Sequence, residues 1–272
     1  MNRKDFLKKI ALLPFAGAAT QLTAMDKLAA LAGKNPKYVL HKANTRGKAD
    51  YGWLQANYSF SFADHYDPDR MNFGMLRVLN DDIIGAGKGF GTHPHENMEI
   101  ITIPLEGALA HKDSTGGSGV IKAGDVQVMS AGTGIRHSEY NHEKDKVTKS
   151  LQLWILPNKR NVSPRYDQIS LSLDDRKNKF QQLVSPHPGS GTGMWIYQNA
   201  WMHIGEFSKG KKTTYAIKGK GNGVYAFVLK GDVTIDSKKL NQRDALGIWD
   251  TDTFTILADT DMEILLIEVP MA

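Results

Sequence analysis

The chain has 272 residues, 41% of them hydrophobic and 23% charged, with a formal net charge of +5 and no cysteine. That is enough chain for one large or two small domains with real cores, and the missing cysteine excludes disulfides, thiolate nucleophiles, iron–sulfur clusters and cysteine zinc sites, so any metal must be held by nitrogen and oxygen. No stretch approaches the roughly 20 apolar residues that would span a bilayer in the mature chain, and a charge surplus this small, without a basic run, argues against a nucleic-acid surface.

The chain opens "MNRKDFLKKIALLPFAGAATQLTAM". Arg3, Lys4, Lys8 and Lys9 face only Asp5, and an apolar run from Ile10 to Ala19 ends in small residues. Those are the zones of an export signal, which predicts a leader over residues 1–24 and a periplasmic protein. "NRKDFLKK" resembles a twin-arginine signal, with Lys4 in place of the second arginine. Ala16-Gly17-Ala18 fits a cleavage pattern, and a cut nearer Ala24 also fits. The alternative is an N-terminal amphipathic helix packed on a cytoplasmic protein. "NRKDFLKKIALL" and "QLTAMDKLAALAGK" carry the helical periodicity of the chain.

From about residue 37 the pattern changes to short strands and turns. "KYVLH", "SFSFADHY", "MNFGMLRVLN", "MEIITIPLEGALAHKD" and "GVIKAGDVQVMSAG" are β-branched or aromatic runs punctuated by Gly, Asn and Asp. Many strands at short spacing predict an all-β sandwich or barrel. The second half repeats the theme. "IPLEGALAHKD" aligns with "FVLKGDVTIDS", which places Gly107 and Gly231 124 residues apart. "IKAGDVQVMSAGT" aligns with "LNQRDALGIWDTD", which places Asp125 and Asp244 119 residues apart. Two β units in tandem are expected, joined by the polar segment "QISLSLDDRKNKFQ".

The stretch "THPHENME" carries the chemistry. In a strand, residues i and i+2 share a face, so His93 and His95 can reach one ion. Pro94 faces the other way and removes a ladder donor, which places this strand at an edge or a barrel mouth. In "SAGTGIRHSEYN", His137 and Glu139 repeat the spacing just after Gly132 and Gly134. Either pair alone is more often incidental on a solvated strand; the conjunction of the two within one β unit supports a metal site. Three imidazoles and a carboxylate suit Fe(II), Mn(II), Ni(II), Cu(II) or Zn(II) with little discrimination among them. Four protein ligands on an octahedral ion leave two positions open, as a catalytic site requires. Glu96, Glu99 and Asn141 are candidate partners for the second ring nitrogens. Carried onto the second unit by the same offsets, the four positions become Ile217, Gly219, Ile256 and Ala258. One metal per chain follows.

These residues resemble the cupin motifs. Gly87, His93, His95, Glu99 and Gly107 match the first, one residue longer at its end, and His137 and Asn141 match the second, with Ser130 where proline is usual. Within cupins, "GTHPHENMEIITIPLEGALAHKDSTG" and "GDVQVMSAGTGIRHSEYN", continued by "LQLWILP" and "SPRYDQ", resemble the pirin family and its bacterial quercetin dioxygenase members. The resemblance covers most of residues 40–272. It implies two tandem cupin barrels (double-stranded β-helix or jelly-roll) in one bicupin chain, a metal-binding one over 40–168 and one without metal ligands over 169–272. It implies one divalent metal, Fe(II) before Mn, Ni, Cu or Zn, on His93, His95, His137 and Glu139, with Glu99 beside them. The implied activity is oxidative ring opening of a flavonol-like aromatic with O2 and release of carbon monoxide. Glu139 or a neighbouring carboxylate would take the substrate's hydroxyl proton, and apolar and aromatic side chains would form the pocket. A monomer is expected.

The remaining candidates read more simply. His111, Asp113 and Ser114 are expected in a polar turn, with a place near the metal as the alternative. Arg136 is expected on the surface or in a salt bridge. His41, His65, His142, His187 and His203 lack a partner at ligand spacing and are expected to be solvated or satisfied in the core. Trp154, Trp195, Trp201 and Trp249 are expected in the core. "GAGKGFG" precedes a strand rather than opening a helix, so it is not a dinucleotide loop. Two other functions remain open: a metal-bearing binding or regulatory protein without turnover, and a metal-dependent cupin isomerase.

Overall fold

The short β-branched runs become twenty-two strands among the described residues, with two brief 3-10 turns at Ala43–Thr45 and Leu173–Arg176. The computed structural model describes residues 35–188, 191 and 193–271, and Asn35–Ala272 forms one compact unit. The leader and both helical segments expected near the N-terminus lie outside the described residues. No helix among the described residues is long and apolar enough to cross a membrane.

The first half runs β2 (Gly47–Asp50), β3 (Leu54–Tyr58), β4 (Leu76–Ile84), β5 (Gly89–His95), β6 (Glu99–Glu106), β7 (Ala108–Asp113), β8 (Ser118–Lys122), β9 (Asp125–Ser130), β10 (Ile135–Asn141), β11 (Thr148–Ile155) and β12 (Arg165–Ser170). These make a seven-stranded sheet, β12-β9-β6-β11-β4-β3-β2, and a four-stranded sheet, β5-β10-β7-β8. The second half runs β13 (Phe180–Pro186), β14 (Met194–Ile196), β15 (Trp201–Phe207), β16 (Lys212–Ala216), β17 (Asn222–Lys230), β18 (Val233–Ile235), β19 (Lys238–Leu240), β20 (Ala245–Trp249), β21 (Thr253–Ala258) and β22 (Met262–Pro270). It makes a matching pair, β20-β17-β22-β15-β13-β14 and β16-β21-β18-β19, the larger sheet being completed to seven strands by β1 (Lys37–His41) beside β20. The N-terminal strand therefore belongs to the second half's sheet, although its sequence lies at the start of the first half. This is the tandem bicupin architecture.

Strand alternation sorts the side chains. On the large first-half sheet, Leu79, Ile101, Ile103, Val126, Val128, Leu151 and Leu153 face the second half, where they pack in one cluster with Leu183, Ile204, Tyr225, Phe227, Leu265 and Ile267. The two halves are thus joined back to back by a continuous apolar core. The opposite faces fill the two barrels, and there the halves diverge. The second barrel is closed by Val224, Ala226, Val228, Leu246, Ile248, Ile256, Ile264 and Leu266, all buried in one apolar cluster. The first holds buried Asn80, Asp82, Thr102, Gln127, His111, His137 and Glu139 at the inward positions, between smaller apolar patches around Leu54 and Ile100.

Two expectations are corrected. "SFSFADHY" is not a strand. After Tyr58 the chain turns, with Phe60 buried and a lone bridge between Phe62 and His65. "MNFGMLRVLN" becomes strand only from Leu76. Aromatic content signalled burial there, and the backbone reached that burial through a loop.

Candidate metal centre and its pocket

β5 is the outer strand of the four-stranded sheet, where the proline of its H-P-H run does no harm. It pairs with β10 so that His137 lies opposite His93, and Ile135 opposite His95. The ladder is irregular between His137 and Glu139, where one intervening residue on β10 meets two on β5, Gly91 and Thr92. At Gly89 the two strands press together: a Cβ there would stand 2.2 Å from the Glu139 carbonyl oxygen and 2.4 Å from the Tyr140 Cα. Glycine is what lets β5 lie this close.

The three rings gather as the spacing predicts. Ring centroids lie 4.4 Å apart for His93–His137 and 4.9 Å for both His93–His95 and His95–His137. One nitrogen from each of the three lies within 4.8 Å of the others. His93 Nδ1–H donates to the Gly91 carbonyl at 2.8 Å. A carbonyl can only accept, so the Nε2 lone pair is left free. Both nitrogens of buried His137 lack any hydrogen-bond partner. Burial, reinforced by the neighbouring imidazoles, pushes the His137 pKa down to about 2 and that of His95 to about 4. Neutral imidazoles with unengaged lone pairs, in a chain without thiolates, fit a divalent ion.

Glu139 stands beside this group rather than in it. Its side chain is buried and lines the same cavity. Thr102 Oγ1 donates to Oε1 at 3.2 Å and Gln152 Nε2 donates to Oε2 at 3.0 Å. Burial outweighs those two bonds and lifts its pKa to about 7. The expected partners for the ring nitrogens lie elsewhere. Glu99 accepts from Ser130 on the opposite face of the large sheet. Asn141 clamps the β10 end, donating to the carbonyls of Ile84, Gly85 and Lys146.

His111 and Asp113 are not in a polar turn. Both are buried on β7, directly opposite Glu139 and His137. The His111 ring lies 5.2 Å from that of His137 and stacks at 4.4 Å on Tyr166. The alternation of "ALAHKD" reaches the barrel interior one pair further than the apparent turn implies. Ser114 does sit at the strand end, where its Oγ accepts from the Arg136 backbone, and the Arg136 side chain is exposed. His41 and His203 are satisfied core histidines, bonded to Tyr225 and Tyr215.

The cavity in front of the imidazoles has a volume of about 320 Å³. Its walls are aromatic: Tyr51, Trp53, Tyr58, Phe62, Phe90 and Trp154. Trp154 was expected in the core; instead its ring stands 4.9 Å from that of His95 and meets Phe62 edge-on. It sits on β11, whose inward positions face the cavity. Asn80, Asp82 and Gln152 complete the lining, and no lysine or arginine joins them. The sequence reading missed Asn80 and Asp82. Their signal was present in "RVLNDDII", where three consecutive polar residues interrupt an apolar strand and the outer two, Asn80 and Asp82, share a face at the same spacing as the histidines.

The second barrel holds no such group among its described residues. Its β21 corresponds to β10 by sheet position, and Ile256 and Ala258 are buried in its apolar core. The residue facing Ile256 is Thr213, however, so the positions matching His93 and His95 are Thr213 and Tyr215, not Ile217 and Gly219. Five residues separate β16 from β17 where three separate β5 from β6, and this longer loop supplies half of the four-residue slip behind the aligned glycines.

Comparisons with known proteins agree with this geometry. Residues 39–155 match the Pirin family model and residues 182–269 that of the quercetinase C-terminal cupin domain. The chain is 43% identical over 231 residues to the quercetin 2,3-dioxygenase of Escherichia coli (strain K12), covering 85% of this chain and 98% of the relative. It is likewise 43% identical to a pirin-like protein of Caulobacter vibrioides, over 82% of this chain and 95% of that one. The crystal structure of the bacterial pirin YhhW from Escherichia coli in complex with nickel(II) superposes with a TM-score of 0.81 at 41% identity, covering 87% of this chain and 100% of that chain. With its imidazole cluster in the first of two cupin barrels, the chain belongs to the pirin family.

Proposed function

We propose that this protein is a metal-dependent dioxygenase that opens the ring of a flavonol-like aromatic with O2. The observation that carries the reading is the juxtaposition of three clustered imidazoles, two buried carboxyls and an aromatic-walled cavity of about 320 Å³ on one barrel face. His93, His95 and His137 would hold one divalent ion, with Glu139 as fourth ligand and Fe(II) as the native metal. The nickel(II) complex of the Escherichia coli pirin supports the wider statement that a protein of this family takes up a divalent cation. When bound, the ion supplies open coordination positions and the means of coupling an electron-rich aromatic to O2.

The chain's own residues do the rest. The aromatic walls take up a flat apolar ring system and exclude water from it. Glu139, whose carboxyl lines the cavity beside the imidazoles, would accept a hydroxyl proton from the substrate. Thr102 and Gln152 hold its carboxyl in place. The leader is proposed to deliver the protein to the periplasm, which fractionation of cells producing the full chain would test.

The direct test is elemental analysis beside a quercetin turnover assay under air, on the wild type and on a His93→Ala/His95→Ala double variant. One metal per chain, lost together with flavonol decay in the double variant, is the expected result. Metal without turnover would favour a binding or regulatory protein. Turnover of another substrate without O2 uptake would favour an isomerase. No metal after reconstitution would overturn the reading.

A further inference from the structure

The cavity is built from acceptors that have nothing to accept. Asn80 and Asp82 lie on β4 at successive inward positions, 4% and 5% exposed. Asp82 Oδ1, Asn80 Oδ1 and Gln152 Oε1 are each buried without a hydrogen-bond partner. Asn80 pairs across the sheet with Gln152 on one side and Tyr58 on the other, so these oxygens form one polar strip on the floor of the aromatic pocket. No cationic side chain lines the cavity to neutralise them. Trp154 Nε1 is an unpartnered donor in the same wall.

A buried acceptor left unpaired destabilises the fold, so a strip of three calls for donors from outside the chain. Metals and anions do not meet that need. A metal ion would find a single carboxyl in the strip itself, Asp82, and an anion would meet that carboxyl with no positive partner. A neutral aromatic hydroxyl does meet it, because its O–H donates to the strip, its oxygen can accept from Trp154, and its ring packs on the walls. We propose that Asn80, Asp82 and Gln152 form a specificity strip that selects aromatic ligands bearing free phenolic hydroxyl groups away from the metal-facing end, and rejects their O-methyl or deoxy counterparts. This deepens the flavonol reading above and rests on it for the site's purpose. The strip itself is a property of binding, separate from turnover. Rejection follows from the same physics, since a ligand that brings no donor leaves the acceptors unpaired and sealed from water.

The test uses binding, on metal-stripped protein, with ligands that lack the 3-hydroxyl and so do not depend on chelation. Titrations followed by tryptophan fluorescence would compare 3′,4′-dihydroxyflavone with 3′,4′-dimethoxyflavone, and 7-hydroxyflavone with 7-methoxyflavone. In at least one pair the wild type is expected to prefer the hydroxylated member by about tenfold or more. Asp82→Leu is expected to bring that ratio below about twofold without weakening the ether. Asp82→Asn, which keeps an acceptor oxygen, should hold the ratio within about threefold of wild type. Equal affinities within both pairs on the wild type would overturn the proposal, as would an unchanged ratio in a folded Asp82→Leu. If Asp82→Leu does not fold, the wild-type ratios decide alone. A hydroxyl preference on the metal-free protein with no flavonol turnover on the metal-loaded one would sink the dioxygenase reading and leave the strip standing.

Discussion

His137→Leu separates the stability of this fold from its function. The His137 ring is 2% exposed, and neither nitrogen has a hydrogen-bond partner. A buried polar group left unpaired costs about 1–3 kcal/mol, whereas an apolar side chain of similar size removes that penalty. Leucine fills much of the ring's volume, so the metal-free variant is expected to gain about 1–2 kcal/mol. In a unit of this size, 1 kcal/mol moves Tm by about 2–4 °C. The metal-free variant should therefore melt several degrees above the metal-free wild type. Adding ion reverses the order. At an ion concentration of about 100 times Kd, the wild type gains about 2.7 kcal/mol by mass action. The variant, reduced to two imidazoles, should gain little. Thermal denaturation of both proteins, with and without nickel(II), gives the four values needed. A metal-free variant that melts well below the metal-free wild type would refute the argument, as would an equal nickel-induced rise in both.

Other consequences follow from the same geometry. Asp82 has its pKa pushed up by burial, by Asp81 and by Glu139 to about 8, well above the ordinary carboxyl range. The folded state holds this proton more tightly than the unfolded one, so the group's contribution to stability is complete below about pH 4 and is lost as pH rises through 8. Asp82→Asn should accordingly raise Tm over the wild type more at pH 9 than at pH 5; a pH-independent difference between the two would contradict the assigned environment. Gly89→Ala forces a Cβ against the Glu139 carbonyl and Tyr140 Cα. It should push β5 off β10 and weaken nickel binding by tenfold or more in a calorimetric titration, and unchanged affinity would show the strand contact to be dispensable. In the second barrel, fully buried Glu268 accepts from the Tyr215 hydroxyl, the Asn222 side-chain amide and the backbone amides of Lys218 and Gly219. Glu268→Leu leaves those donors unpaired and is expected to cost about 3 kcal/mol or more, seen as a fall in Cm in urea. Metal stoichiometry should stay at one per chain, and a variant that loses its metal would show that the barrels are coupled. Trp154, 4.9 Å from His95, should be quenched by copper(II) or nickel(II). Trp154→Phe should remove most of that quenching.

The division between what the chain's order declares and what its folding decides follows from distance along the chain. The period-2 spacing of His93 with His95 is local, and a strand makes it a shared face wherever that strand sits. The same holds for His137 and Glu139, and for the apolar Ile256 and Ala258 that pack in the second barrel's core. Gly-punctuated strand runs and the tandem offset were likewise enough for two β units. Contacts between distant strands were beyond such reasoning. Nothing local places β1 in the second half's sheet, aligns Thr213 rather than Ile217 with His93, or brings Asp82 and Trp154 into one cavity with imidazoles tens of residues away. Register between non-neighbouring strands is set by loop lengths and by the packing of whole faces, and a one-residue slip reverses which side chains face inward. The histidines could be read from their spacing, whereas the pocket that gives them a ligand exists only once the barrel has closed.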